Sequence, residues 1–253
     1  MQDYNRNDYG RTESQYRNYQ DAVPVGYQDT AGASAFINRV YGWMCGGLLL
    51  SAVLAMLVAY TPALRNVVLG NRAVYMVLIV LEIITVIALS AGSRSMSASL
   101  AKLGFLFFAA LNGMTLSVIF LGFDANVIGL TFGVSAGMFG VTSLFGYVTK
   151  KDLSGIGGFC FMGLIGIIIA TIVNIFLRSP GLYYAISYLG LFIFIGLTAW
   201  DTQKIKQMSM VMDTEMAASD SGQKYAIFGA LELYLDFINM FLFLLRIFGG
   251  GRR

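Results

Sequence analysis

The chain has no histidine, two cysteines and three prolines, and only 12% of its residues are charged. Each scarcity excludes something. With no imidazole, zinc sites and histidine-based catalysis lose their usual ligand and base, and a proton response near neutrality falls to carboxylates in unusual surroundings. Cys45 and Cys160 form no CxxC pair and both lie in apolar runs, which reads as buried, weakly polar packing. Pro24, Pro62 and Pro180 all fall outside the apolar runs, where a missing amide proton does no harm. The net charge of +3 is spread over loops without a basic cluster, so nothing points to nucleic acid as a partner.

What is present is apolar sequence. Hydrophobic residues make up 57% of the 253, and they gather into seven stretches: 37–60, 73–92, 103–122, 127–148, 156–177, 182–201 and 229–248. Each approaches the ~20 residues that span a bilayer as a helix. The expectation is an all-α integral membrane protein with seven transmembrane helices in one domain, residues 36–250. Residues 1–35 are polar and without apolar period, and read as a disordered tail. The tail's tyrosines, among them Tyr4, Tyr9 and Tyr16, suit either a docking or modification site or an inert solvated segment. The apolar region starts too late for a secretory signal. Gly129, Gly133, Gly137 and Gly140 form a small-residue stripe on the fourth span, which predicts close helix packing there.

Eleven of the 17 Lys and Arg residues fall on one side of the membrane if the N-terminus is inside, so a cytoplasmic N-terminus is expected. Three of the six outer ones, Arg246, Arg252 and Arg253, lie at the C-terminal end. A seventh segment that dips in and returns would sharpen the bias, but 229–248 is long enough to cross, and seven full crossings is the reading adopted.

The last span carries the most informative pattern. At ~100° per residue, Glu232, Asp236, Asn239, Phe243 and Arg246 fall within about 40° of one line along the helix. Ionisable groups facing hydrocarbon are costly, so this helix belongs inside a bundle or against a wet cavity. Of the 14 acids only Glu82, Asp201, Glu232 and Asp236 lie within or at the edge of a span. Asp201 ends the sixth span and Asp236 lies a turn or two into the seventh, which starts on the same side. Both carboxyl groups are therefore expected at similar depth on neighbouring helices. Two such groups in a partly dry site do not readily both carry charge and titrate as a coupled pair. A shared proton would hold the helices together, and full ionisation would repel them or recruit a hard cation such as calcium. The plainer alternatives are a solvated helix-end acid for Asp201 and an interior structural contact for Asp236.

Spacing also suggests an ion pair. Glu82 lies 12 residues before Arg94, and Arg246 lies 10 after Asp236. At helical rise these are ~18 Å and ~15 Å, which puts Glu82 and Arg246 at one level, where an unpaired charge is expensive. Asn112 and Asn174 are expected to hydrogen-bond between helices.

Leu233-Tyr234-Leu235-Asp236-Phe237-Ile238-Asn239, followed by Phe241 and Leu244-Leu245-Arg246-Ile247, closely resembles the last-helix signature of the Bax-inhibitor (transmembrane BAX inhibitor motif) family. Thr149-Lys150-Lys151-Asp152-Leu153-Ser154 and Trp200-Asp201-Thr202-Gln203 are similar to that family's pattern as well. The resemblance covers roughly residues 35–250. It implies a central C-terminal helix wrapped by six others, and a pH-sensitive calcium leak. It places the paired aspartates at Asp201 and Asp236, an arginine latch at Arg94, and a Glu–Arg pair at Glu82 and Arg246. Calcium is then the transported ion, contacted transiently by Asp201 and Asp236, and no cofactor is required. The general pattern suggests a bacterial inner membrane. The segment Gln207–Gln223, with Met208, Met210, Met212 and Met216, reads as a polar insertion longer than the family's connection, and the long tail lies outside the core pattern.

Bacterial members of that family include modulators of a membrane-bound ATP-dependent protease. A non-conducting modulator of a membrane protease or stress response, docking through the tail or 207–223, is therefore the second reading. An intramembrane aspartyl protease is the third, since paired aspartates can activate water. Those enzymes carry GxGD, however, and Leu233, Tyr234 and Leu235 precede Asp236 here, with no later Pro-Ala-Leu. No enzymatic activity is expected.

Overall fold

A computed structural model describes residues 30–92 and 95–250. Among these residues there are ten helices and no strand. They are α1 (Thr30–Tyr60), α2 (Pro62–Val68), α3 (Arg72–Gly92), α4 (Ala98–Leu116), α5 (Ile119–Gly122), α6 (Ala125–Val148), α7 (Ser154–Leu177), α8 (Pro180–Ser209), α9 (Thr214–Ala218) and α10 (Asp220–Gly249). Seven helical segments are long and apolar enough to cross a membrane, with α4 and α5 counted as one.

Local chemistry sets the helix ends. Ser179 accepts from the Leu182 amide ahead of Pro180, which opens α8; a hydroxyl cap followed by proline suits a first turn. Ser219 caps α10 through the Gly222 amide. Arg178 closes α7 in the left-handed region at φ 51°, and Asn174 Oδ1 accepts from the Ser179 amide across that turn. Asn174 is thus a turn-capping residue rather than an interhelical bridge.

Burial identifies the centre. In the apolar window of α10, 72% of residues are buried, against 6% for α3 and 11% for α7. Helices α1, α4, α6 and α8 pack directly on α10. Helix α3 leans on α4, and α7 on α8, so the six other spans surround α10 in two shells. The outer faces are apolar and open, as along Phe159, Ile165, Ile169, Ile172 and Phe176 of α7. Such a surface suits lipid, with every backbone group satisfied inside the helix.

Close approach depends on other glycines than the predicted stripe. A Cβ on Gly146 would lie 2.2 Å from the Ala199 carbonyl oxygen, and one on Gly113 would lie 2.5 Å from the Ser51 carbonyl oxygen. By contrast Gly129, Gly133, Gly137 and Gly140 have nothing within 4 Å of such an atom. The stripe therefore faces outward, and α6 packs through Thr131, Ser135, Phe139, Ser143 and Gly146. Cys45 is exposed and only Cys160 is buried.

The helices also outrun the apolar stretches. Residues 30–35, assigned by composition to the polar tail, already belong to α1; residues 1–29 lie outside the described residues. Helix α8 continues past Asp201 to Ser209, and α10 starts at Asp220. Most of the expected 207–223 insertion is therefore helical. Its short helix α9 packs on α1, where Arg39 donates to the Ala217 carbonyl.

Candidate functional site

The seam between α8 and α10 carries the acids. Asp201 on α8 and Asp236 on α10 are 7% and 3% exposed, and their carboxyl groups lie close enough to interact electrostatically. Thr198, one turn before Asp201, contacts the Asp236 carboxyl as well. Asp236 Oδ2 is fully buried and receives no hydrogen bond from a protein donor. Glu232, one turn before Asp236, stands at the more open end of the seam.

A cation links these acids. Lys204 Nζ lies 3.0 Å from Asp201 Oδ1 and 2.7 Å from Glu232 Oε2, and 5.1 Å from the centre of the Trp200 ring. Sequence reasoning counted Lys204 only as a charge beyond the span. The signal was its position three residues after Asp201, one helical turn along the same face. Among the described residues, no group of three or more His, Cys, Asp or Glu side chains is arranged to hold a metal ion. The acids and the lysine instead form a compact, partly neutralised cluster with one unsatisfied oxygen.

The two shorter motifs meet at this end of α8. Gln203 accepts from the Leu153 amide at 2.9 Å and donates to the Lys151 carbonyl at 2.8 Å. It thereby clamps the Thr149–Ser154 loop two residues from Asp201. Within that loop the Asp152 carboxylate accepts from the Ser154 hydroxyl and amide, and these bonds hold it below the usual carboxylate range. Thr202 donates to Ser143 on α6 at 3.1 Å, and Ser143 is in turn bonded to Tyr41 on α1.

The other expected residues separate. Glu82 and Arg246 do not meet, because α3 packs on α4 and not on α10. Equal depth does not make two helices neighbours. Glu82 accepts from Asn112 and from Thr115 Oγ1, the latter at 3.0 Å. Arg246 lies over the rings of Phe243 and Tyr183, 5.4 and 5.9 Å from their centres. Asn239 donates to the Leu235 carbonyl of its own helix. Arg94 lies outside the described residues.

Asn112 does join helices. Tyr234, fully buried on α10, donates to Asn112 Oδ1 at 2.9 Å, and its hydroxyl lies 2.7 Å from Ser51 Oγ. A chain of polar contacts therefore runs from Ser51 through Tyr234 and Asn112 to Glu82, across α1, α10, α4 and α3. In the sequence Tyr234 stands inside the last-helix signature with no role of its own. Only its placement between Phe105 and Phe108, with ring centres 5.8 Å away on each side, leaves the hydroxyl aimed at Asn112.

A family profile described as inhibitor of apoptosis-promoting Bax1 matches residues 33–253. The inner membrane protein YbhL of Escherichia coli K12 is 48% identical over 225 residues, covering 89% of this chain and 95% of that protein. An uncharacterized protein of Borreliella burgdorferi is 42% identical over 219 residues, covering 86% and 92%. One from Caulobacter vibrioides is 38% identical over 247 residues, covering 93% and 98%.

Proposed function

The chain belongs to the Bax inhibitor family of membrane proteins, and we propose that it is a pH-sensitive calcium leak gated by Asp201 and Asp236. The observation that carries this reading is the burial of two carboxyl groups against each other, beside an oxygen with no donor. A proton held between the carboxyls supplies the missing donor and ties α8 to α10. Its loss leaves two charges in a nearly dry seam, which favours separation of the helices or entry of a cation. Carboxylate oxygens are the ligands that calcium prefers. Glu232, at the open end, receives the ion first, and Lys204 limits how much positive charge the seam admits. The transport step involves no bond chemistry, so no enzymatic activity is assigned. The membrane is that of a bacterial cell, with the N-terminus and the cluster on the cytoplasmic side. The latch role that the family resemblance gives to Arg94 is part of the same proposal, with that residue outside the described ones.

The test is calcium flux into liposomes holding the purified full chain, over a pH series. The expected result is a pH-dependent flux that loses its pH dependence in Asp236→Asn. Silent liposomes at every pH overturn the leak and favour a non-conducting modulator of a membrane protease or stress response. Within the 207–223 segment α9 packs on α1, while Met210, Val211 and Met216 stay exposed, so a modulator could dock through that segment.

A further inference from the structure

Helices α1 and α6 both lean on α10 but scarcely touch each other. At the end of α8 that lies beyond Asp201, the gap between them opens into a cleft of about 340 Å³. Lys206 is its cation, with Ser34, Asn38, Tyr147 and Ser209 around it. Lys206 lies five residues past Asp201, about 7 Å further along the helix, where the apolar part of the bundle ends. Among the described residues no carboxylate pairs with Lys206; its ammonium rests 5.3 Å from the Tyr147 ring centre. The Ser34 and Asn38 side chains are exposed and make no hydrogen bond with a described residue. Lys150 and Lys151 follow α6 at the same end.

The cleft continues into a groove of about 490 Å³, sharing Ile37 and Tyr147 with it. The groove runs between Met44 and Cys45 on one wall and Phe139, Gly140 and Leu144 on the other, and its lining is almost wholly apolar. Gly140 keeps it open, since nothing lies within 4 Å of where a side chain would begin.

We propose that this composite surface is a binding site for one anionic phospholipid, with the headgroup phosphate on Lys206 and an acyl chain in the α1–α6 groove. Charge complementarity selects the headgroup: one unpaired ammonium with hydroxyl and amide donors matches a phosphate oxygen cluster, and basic pockets between helices at a membrane surface hold such groups. Continuity selects a lipid over a free anion, because the polar cleft opens directly into an apolar channel running toward the membrane interior. The groove floor holds the Tyr41–Ser143–Thr202 contacts, so a seated acyl chain braces the helix turn that carries Asp201. The site stands whether or not the aspartate pair gates a leak.

The experiment is thermal unfolding of the detergent-solubilised full chain, with phosphatidylglycerol, phosphatidylcholine or inorganic phosphate added. Bound lipid is counted in parallel by native mass spectrometry. Phosphatidylglycerol is expected to raise the midpoint by several degrees and to be retained at one per chain, with phosphatidylcholine giving less than half the shift. Lys206→Gln should remove the preference between the two lipids. Gly140→Leu, which adds a side chain into open space, should fold normally and lose most of the shift. Arg65→Gln, at the other end of the bundle, should keep all of it. Equal shifts from the two lipids in the wild type, a full preference in Lys206→Gln, or a full shift from phosphate alone would each overturn the proposal. The last result would leave only a free-anion site.

Discussion

Lys204 Nζ lies 2.7 Å from Glu232 Oε2, joining α8 to α10 beside the buried aspartates. The side chains keep 33% and 39% of their exposure, so water screens the pair and its worth is modest. A double-mutant cycle with Lys204→Met and Glu232→Gln should give a coupling of about 0.2–1 kcal/mol. Lys204→Met alone should cost more, about 1–3 kcal/mol, because Asp201 also loses its cation. Unfolding midpoints in detergent measure both, and a cycle with no coupling would dissolve the link.

Gln203 is the clamp between α8 and the loop before α7. Gln203→Leu strips the Leu153 amide and the Lys151 carbonyl of their partners, at a cost of about 1–3 kcal/mol for the buried amide. Gln203→Glu keeps the acceptor for Leu153 and loses only the donor to Lys151, so it should be milder. Equal losses in the two variants would show that the amide bond to Leu153 is not the important one.

Glu82 and Arg246 should behave independently. A cycle of Glu82→Gln and Arg246→Met is expected to add within about 0.5 kcal/mol. Glu82→Gln with Asn112→Leu should instead couple by about 0.5–3 kcal/mol, since they share a hydrogen bond. Denaturant unfolding of the three single variants and the two doubles decides between the pairings.

Two glycines on one helix should respond oppositely to alanine. Gly146→Ala forces a methyl against the Ala199 carbonyl, and such overpacking costs about 1–3 kcal/mol. Gly137→Ala enters open space and should be neutral or gain about 0.5–1 kcal/mol from higher helix propensity. Thermal unfolding of the two single variants is the measurement, and a loss in Gly137→Ala would mean that the stripe packs against something.

Part of the site was legible: Glu232 and Asp236 stand one turn apart on one helix, and the shared level of Asp201 and Asp236 follows from the order of the spans. The rest of the stripe, Asn239 and Arg246, stands apart from the acids. Lys204 escaped because a helix end was placed where hydropathy fell, at Asp201. The backbone continues in register to Ser209, since hydrogen bonding along a helix is indifferent to whether lipid or water surrounds it. Glu82 was misplaced for a different reason. Counting residues along a helix measures depth, and depth carries no information about which helix stands beside which. The stripe of Gly129, Gly133, Gly137 and Gly140 failed similarly: small residues permit close approach but do not compel it, and the buried face of α6 is built on Thr131, Ser135, Phe139 and Ser143.

The amino-acid order alone determined that seven segments enter the bilayer and that the last cannot face lipid, because transfer free energies and helical periodicity are properties of short stretches. Lateral neighbours, the cation between Asp201 and Glu232, the Tyr234 hydroxyl on Asn112 and the open groove between α1 and α6 were decided only by tertiary structure. Those depend on how side chains from distant segments fill the space around α10, and no local pattern encodes which surfaces meet.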